Sequence, residues 1–169
     1  GVRKVLKEIG AKKNVVKKQK DYFFNLSKNR DVKIPPRLKL RVEGKKQTLI
    51  FYQRANFSKS GDTPANIILL PVEDKKMLPF LIKALGVRVV VEKTRELWKK
   101  ENTVFHLDKV KNIGNIFEIE VWSQQRTEAK DRTKFAEYRK KLLPHMGKIV
   151  NGSNEDLALK AKNKSLARN

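Results

Sequence analysis

Cysteine is absent from the 169 residues, so disulfides and zinc–thiolate sites are excluded and the redox compartment is left open. Histidine occurs only twice, at His106 and His145, and nothing in the spacing of either suggests a metal pair. No phosphate-binding glycine loop is present, and no apolar run approaches the ~20 residues needed to span a bilayer. No membrane association is therefore expected. Acids are scarce as well: 18 Asp and Glu stand against 40 Lys and Arg, a formal net charge of +22. A chain so charged repels itself and attracts polyanions.

The excess is uneven. Residues 1–20 carry eight basic residues and one acid, and Lys160–Asn169 carries four and none. Residues 87–122 are nearly balanced, with seven basic and six acidic. The basic ends offer Lys12, Lys13, Lys17, Lys18, Lys20, Lys160, Lys162 and Lys164 as candidate nucleic-acid contacts. A solvated, lysine-rich surface would produce part of the same signal.

Periodicity gives the elements. Val2, Val5, Leu6 and Ile9 recur at helical spacing before Gly10. "KDYFFNL" (20–26) reads as a strand, with Tyr22, Phe23 and Phe24 in the core. "RLKLRVEG" (37–44) alternates leucine and valine with Arg37, Lys39 and Arg41, and "QTLIFYQR" (47–54) returns as the second arm of a hairpin. "NIILL" (66–70) is a short strand, apolar on both faces. Asp74 is placed to cap a helix carrying Met77, Leu78, Leu81, Ile82 and Leu85, ended by Gly86. Strands follow at 87–98, 103–110 and 115–122, with Trp98 and Trp122 expected to pack. A helix over 128–143 closes at Pro144. Ser153 and Asp156 have capping-box spacing for a last helix over 153–164, with a strand as the alternative. The order predicts an α+β fold: an antiparallel sheet with helices packed on it.

Several strands carry a charged face. Lys93 and Arg95 share a side with Val89 and Val91. Arg37, Lys39 and Arg41 make a second cationic row, Glu118 and Glu120 an anionic one, and Asp108 lies on the face of His106. Two arrangements fit. In the commoner one the charged faces meet solvent. In the other they turn inward and line a cavity for a highly charged ligand, with Lys and Arg on phosphate and carboxylates on Mg²⁺ or Mn²⁺. Each histidine is expected to be a surface or structural residue.

The ordered series "VRKVLKEIGAKKNVVKKQKDYFF", "RLKLR", "LIFYQR", "LGVRVVVEKTRELW", "FHLDKV", "FEIEV" and "GSNEDLALKAK" resembles the CYTH superfamily, the triphosphate tunnel fold of class IV adenylate cyclases and thiamine triphosphatases. The resemblance implies an antiparallel sheet curled into a charged tunnel with helices outside. Residues 1–152 would be the tunnel domain, and 153–169 a closing segment and basic tail. By position it implies phosphate contacts at Lys39, Arg41, Arg54, Lys93 and Arg95, and carboxylates for a divalent cation at Asp108, Glu118 and Glu120. The chain departs from the family at three places. The family's Glu-x-Glu-x-Lys strand before the first helix is missing, Gln53 stands where a lysine is usual, and "NIILL" has no carboxylate where the family places acids.

Two functions are weighed. In the first, the chain is a degenerate relative without a working metal site that binds polyanions, with RNA the expected partner, alongside neighbouring chains of a ribosomal or other ribonucleoprotein. No cofactor is then expected. In the alternative it is an enzyme, a triphosphatase or adenylate cyclase, using Mg²⁺ or Mn²⁺ on a triphosphate held in the tunnel. An intact enzyme from a lysine-rich proteome would look the same. The missing metal ligands favour the first reading. The start at Gly1 suggests processing or an upstream piece, and an intracellular location is expected, mitochondrial if a targeting segment was removed.

Overall fold

The computed structural model describes residues 1–27, 34–54, 65–124, 128–150 and 152–166. Among the described residues seven strands and four α-helices follow in the predicted order. They are α1 (Val2–Glu8), β1 (Lys12–Phe24), β2 (Pro36–Glu43), β3 (Lys46–Arg54), β4 (Ala65–Val72), α2 (Met77–Leu85), β5 (Val87–Lys100), β6 (Thr103–Val110), β7 (Gly114–Val121), α3 (Glu128–Leu142) and α4 (Asn154–Leu166). The strands follow one another in the order β4-β3-β2-β1-β5-β6-β7, with β1 to β4 paired antiparallel. This is the expected α+β class. The chain divides into two compact units, and each is described by itself.

Unit 1 comprises Gly1–Lys17, Thr94–Lys109 and Gly114–Ile149. Its core joins Val5 and Leu6 of α1, Trp98, Phe105, and Tyr138 and Leu142 of α3. The rings of Phe105 and Tyr138 meet edge-on, with centroids 5.3 Å apart. That geometry suits the aromatic quadrupoles. Short α1 needs this tertiary packing, since seven residues are too few to hold a helix alone. Trp98 packs as expected, but Trp122 does not: it follows β7 and is 52 % exposed.

Unit 2 comprises Lys18–Lys93, Val110–Ile113 and Val150–Asn169. Its core is Phe24, Leu40 and Leu81, ringed by Leu38, Leu49, Leu78 and Leu85, so α2 covers the leucine face of β2 and β3. Asp74 does not cap α2 as expected but supports the turn that leads into it. Its Oδ1 accepts from the Lys76 backbone N–H at 2.8 Å, and the helix proper starts at Met77. Gly86 ends α2 at φ 69°, a left-handed conformation that favours glycine. The capping box forms: Ser153 N–H donates to Asp156 Oδ2 at 2.8 Å and Asp156 N–H to Ser153 Oγ at 3.3 Å. The last segment is therefore a helix, not a strand.

One element is longer than its sequence suggests. β1 begins at Lys12, so the basic stretch before Lys20 is strand rather than connection. Val15 and Val16 favour extended backbone, and exposure alternates along much of the strand, which lets the lysines stand in water.

Candidate functional site: two buried charge clusters

Part of the charged rows is buried, while Glu118 and Glu120 stay partly exposed. Lys93 and Arg95 are each 6 % exposed, Asp108 2 % and Asp21 1 %. Burying such groups is costly unless they are paired and hydrogen-bonded. Each unit meets that requirement differently.

In unit 2 the register sets Asp21 of β1 opposite Arg41 of β2, and Phe23 opposite Lys39. Residues directly opposite share a face, so Asp21 faces the cationic row. Arg41 grips its carboxylate with two bonds, Nε to Oδ1 and Nη2 to Oδ2, both 2.8 Å, and Lys39 Nζ donates to Oδ2 at 2.9 Å. Burial opposes ionisation of Asp21, but the charges of Lys39, Arg41 and Lys93 outweigh it and hold the carboxyl well below its usual range. Lys39 moves the other way. Burial comes first, and Arg41 and Lys93 add repulsion that Asp21 only partly offsets, so the amine is pushed down to about 8. Its Nζ also lies 5.2 Å from the Phe23 ring centre and 5.8 Å from that of Tyr52.

Arg37 begins the same row but is held elsewhere. It reaches Ser153 Oγ, pairs with Asp156 at 3.0 Å, and lies 3.1 Å from Glu155 Oε2 at the start of α4. Arg88 approaches the other oxygen of Glu155 at 3.4 Å. Burial pushes Glu155 up, and the two arginines pull the other way.

In unit 1 the balance of charge is reversed. Arg95 Nε and Nη2 donate to the two oxygens of Asp108 at 2.6 Å each, and Nη2 also donates to Glu118 at 3.1 Å. His106 Nε2 lies 3.0 Å from Glu120 Oε2, and its Nδ1 4.0 Å from Glu118. Glu118 thus shares Arg95 with Asp108, and Glu120 lies against the His106 ring.

The expected residues separate accordingly. Lys39, Arg41 and Lys93 come together in unit 2, while Arg95, Asp108, Glu118 and Glu120 come together in unit 1. Arg54 ends β3, and its side chain lies outside the described residues. Among the described residues no three His, Asp or Glu side chains gather as a metal site would require. Of the carboxylates expected to carry Mg²⁺ or Mn²⁺, Asp108 is held by Arg95 at both oxygens, Glu118 accepts one bond from it, and Glu118 and Glu120 remain partly exposed. Among the basic-end candidates, Lys12, Lys18, Lys160, Lys162 and Lys164 are exposed. Lys13 pairs with Glu96 at 3.6 Å and Lys20 with Glu92 at 3.3 Å, and Lys17 is half-buried.

Two members of the clusters were missed from sequence. Asp21 sits among lysines and aromatics. Its one signal is that it alternates with Phe23 on the inner face of a strand. His106 is buried at 6 % exposure and paired, which a lone histidine on a strand does not announce.

Buried basic and acidic groups on the strands of an antiparallel sheet define a class: an α+β domain with charged residues turned away from solvent. The chain belongs to the CYTH domain family, whose model matches residues 2–152. Among solved structures it is similar to the PH1012 protein from Pyrococcus horikoshii, at 20 % identity and TM-score 0.73, covering 92 % of this chain and 91 % of that one. It is also similar to a "putative adenylate cyclase" from Vibrio parahaemolyticus, at 13 % identity and TM-score 0.62, covering 84 % and 80 %. A third is HpAC1 from Hippeastrum, at 14 % and 0.50, covering 76 % of each chain, a "putative adenylyl cyclase" whose name adds "a dominant" triphosphatase activity. At these identities the likeness is one of fold. No curated protein matches the chain. Nothing in these comparisons supports the expected RNA-binding or ribosomal role.

Proposed function

We propose that unit 2 binds the phosphate chain of a triphosphate, or of a shorter or longer polyphosphate, on Lys39 and Arg41, with Lys93 contributing to the field. One observation carries this reading. Lys39 is buried beside a carboxylate, yet its amine is pushed down to about 8, because burial and two neighbouring cations outweigh Asp21. A site that holds positive charge at such cost favours an added anion. The names of the Vibrio and Hippeastrum relatives point to triphosphate chemistry, which supports the ligand class without carrying an activity across. No chemical step is assigned, because among the described residues no three carboxylate or histidine side chains gather to hold a cation.

Isothermal titration with tripolyphosphate at pH 7, with and without Mg²⁺, tests the proposal. Binding is expected in both, weakened at least tenfold in Lys39→Ala and in Arg41→Ala. Unchanged affinity in both variants, or no binding by the parent, overturns it. Magnesium-dependent phosphate release that is lost in Glu118→Ala would instead make the chain a metal-dependent enzyme.

A further inference from the structure

β4 carries an unusual surface for an edge strand. All of Ala65–Pro71 is exposed, and no charged residue occurs in Ala65–Val72. Edge strands ordinarily carry charge or cover against stray pairing. The cross-strand register shows what this surface adjoins. Arg37, Lys39 and Arg41 of β2 lie opposite Tyr52, Ile50 and Thr48 of β3. Tyr52, Ile50 and Thr48 lie in turn opposite Ile67, Leu69 and Pro71 of β4. Opposite residues share a face, so Ile67 and Leu69 stand on the face of the cationic row, in the cross-sheet lines that start at Arg37 and Lys39. Two strand spacings, roughly 10 Å, separate them from it. Ile68 and Leu70 belong to the opposite face, in line with Leu38 and Leu40, and are 54 % and 53 % exposed.

Ile67 is 41 % exposed and Leu69 49 %, whereas Ile50 between the row and the strand is 6 % exposed. A cationic row thus continues through Tyr52 and Ile50 onto an open aliphatic shelf, all within unit 2. We infer that Ile67 and Leu69 form a subsite for the aliphatic end of a phosphate-chain ester whose phosphates lie on Lys39 and Arg41. The inference rests on the phosphate-binding reading of that row. The charge of the row selects the head of such a ligand, and the shelf selects its tail. A nucleobase fits less well, because Ile67, Leu69 and Pro71 offer its polar edge neither donor nor acceptor side chains. The departure from the family at "NIILL" then has a physical sense: where carboxylates would attract a cation, this strand offers apolar surface to a ligand.

The test titrates the full chain with pyrophosphate and with geranyl diphosphate. Geranyl diphosphate is expected to bind at least tenfold tighter, which burial of about two methylene groups suffices to give. The double substitution Ile67→Thr with Leu69→Thr keeps β-branched residues on the strand. It should bring the two ligands to near parity and leave pyrophosphate affinity unchanged. Ile68→Thr with Leu70→Thr, on the opposite face, should preserve the full preference. If the first pair fails to fold, Ile67→Ala alone should lose about threefold of the preference. A preference that survives in the first pair overturns the subsite. A preference lost equally in both pairs also overturns it, and points to a sticky edge that accepts any apolar chain, a second copy included. Failure to bind pyrophosphate at all is a different result: it removes the phosphate row, and the subsite with it.

Discussion

Unit 2 gathers Lys39, Arg41 and Lys93 round the carboxylate of Asp21, while unit 1 gathers Asp108, Glu118 and Glu120 round Arg95 and His106. Both bury charge on strand faces, and both meet the desolvation cost with short hydrogen bonds. They differ in sign. In unit 2 the cations outnumber the carboxylate, and a lysine is destabilised in its charged form. In unit 1 Arg95 holds its aspartate in two-point contact and the histidine has an acid beside it. The comparison teaches that buried charge is not by itself a binding site. The cluster with cations in excess is the one that suits an anionic ligand, and the cluster with acids in excess does not.

The largest test of that contrast is Arg95→Ala. It leaves Asp108 buried without its two-point partner and should cost about 3–5 kcal/mol of stability in urea unfolding. Added tripolyphosphate should not restore the loss, since unit 1 is already rich in acid. Asp21→Asn is the counterpart in unit 2. It should destabilise by roughly 2–3 kcal/mol, because three cations lose their common anion. Here tripolyphosphate should recover much of the loss, and should raise the melting temperature more than it does in the parent. Equal rescue of both variants would erase the distinction between the units.

The pH dependence of stability sharpens it further. The value for Lys39 in the folded chain, about 8, lies below its ordinary value of 10.5. Between these the folded chain binds fewer protons than the unfolded one, so stability should rise with pH across that window and level off above it. The gain is on the order of 3 kcal/mol, and Lys39→Met should abolish the rise in unfolding measured from pH 7 to pH 10.5. Asp21 gives the opposite limb: its depressed carboxyl stabilises above the ordinary carboxylate range, and that contribution is lost on acidification. Smallest is Arg3→Ala. Arg3 pairs with Glu96 at 3.0 Å, but its side chain is 64 % exposed, so the change should stay within about 0.5 kcal/mol.

Much of this was legible in the chain because alternation and helical spacing are local. Leu38 and Leu40 against Arg37, Lys39 and Arg41 already separate a core face from a charged one, and Ser153 with Asp156 already marks the start of α4. The partition of the charges was not legible. Lys93 and Arg95 are two apart on one strand and look equivalent, yet one belongs with Asp21 and the other with Asp108. Only strand register decides that, and register is a long-range property. The same blindness hid Asp21, which becomes meaningful when Arg41 is set opposite it. Glu118 and Glu120 are ambiguous in sequence, because a carboxylate that serves an arginine looks the same there as one that serves magnesium. The basic ends drew attention to RNA through their number alone, which says nothing of what their lysines touch.

In the proposed reading a polyphosphate completes the pairing that Asp21 gives Lys39 only in part. The most direct test of that reading is ¹³C NMR of the lysine Cε resonances, titrated with pH and with Lys39 identified by a Lys39→Arg variant. Without ligand the Lys39 midpoint should fall near 8, and with saturating tripolyphosphate it should move up toward the ordinary 10.5. A midpoint already near 10.5 without ligand, or one that tripolyphosphate leaves in place, would contradict the account.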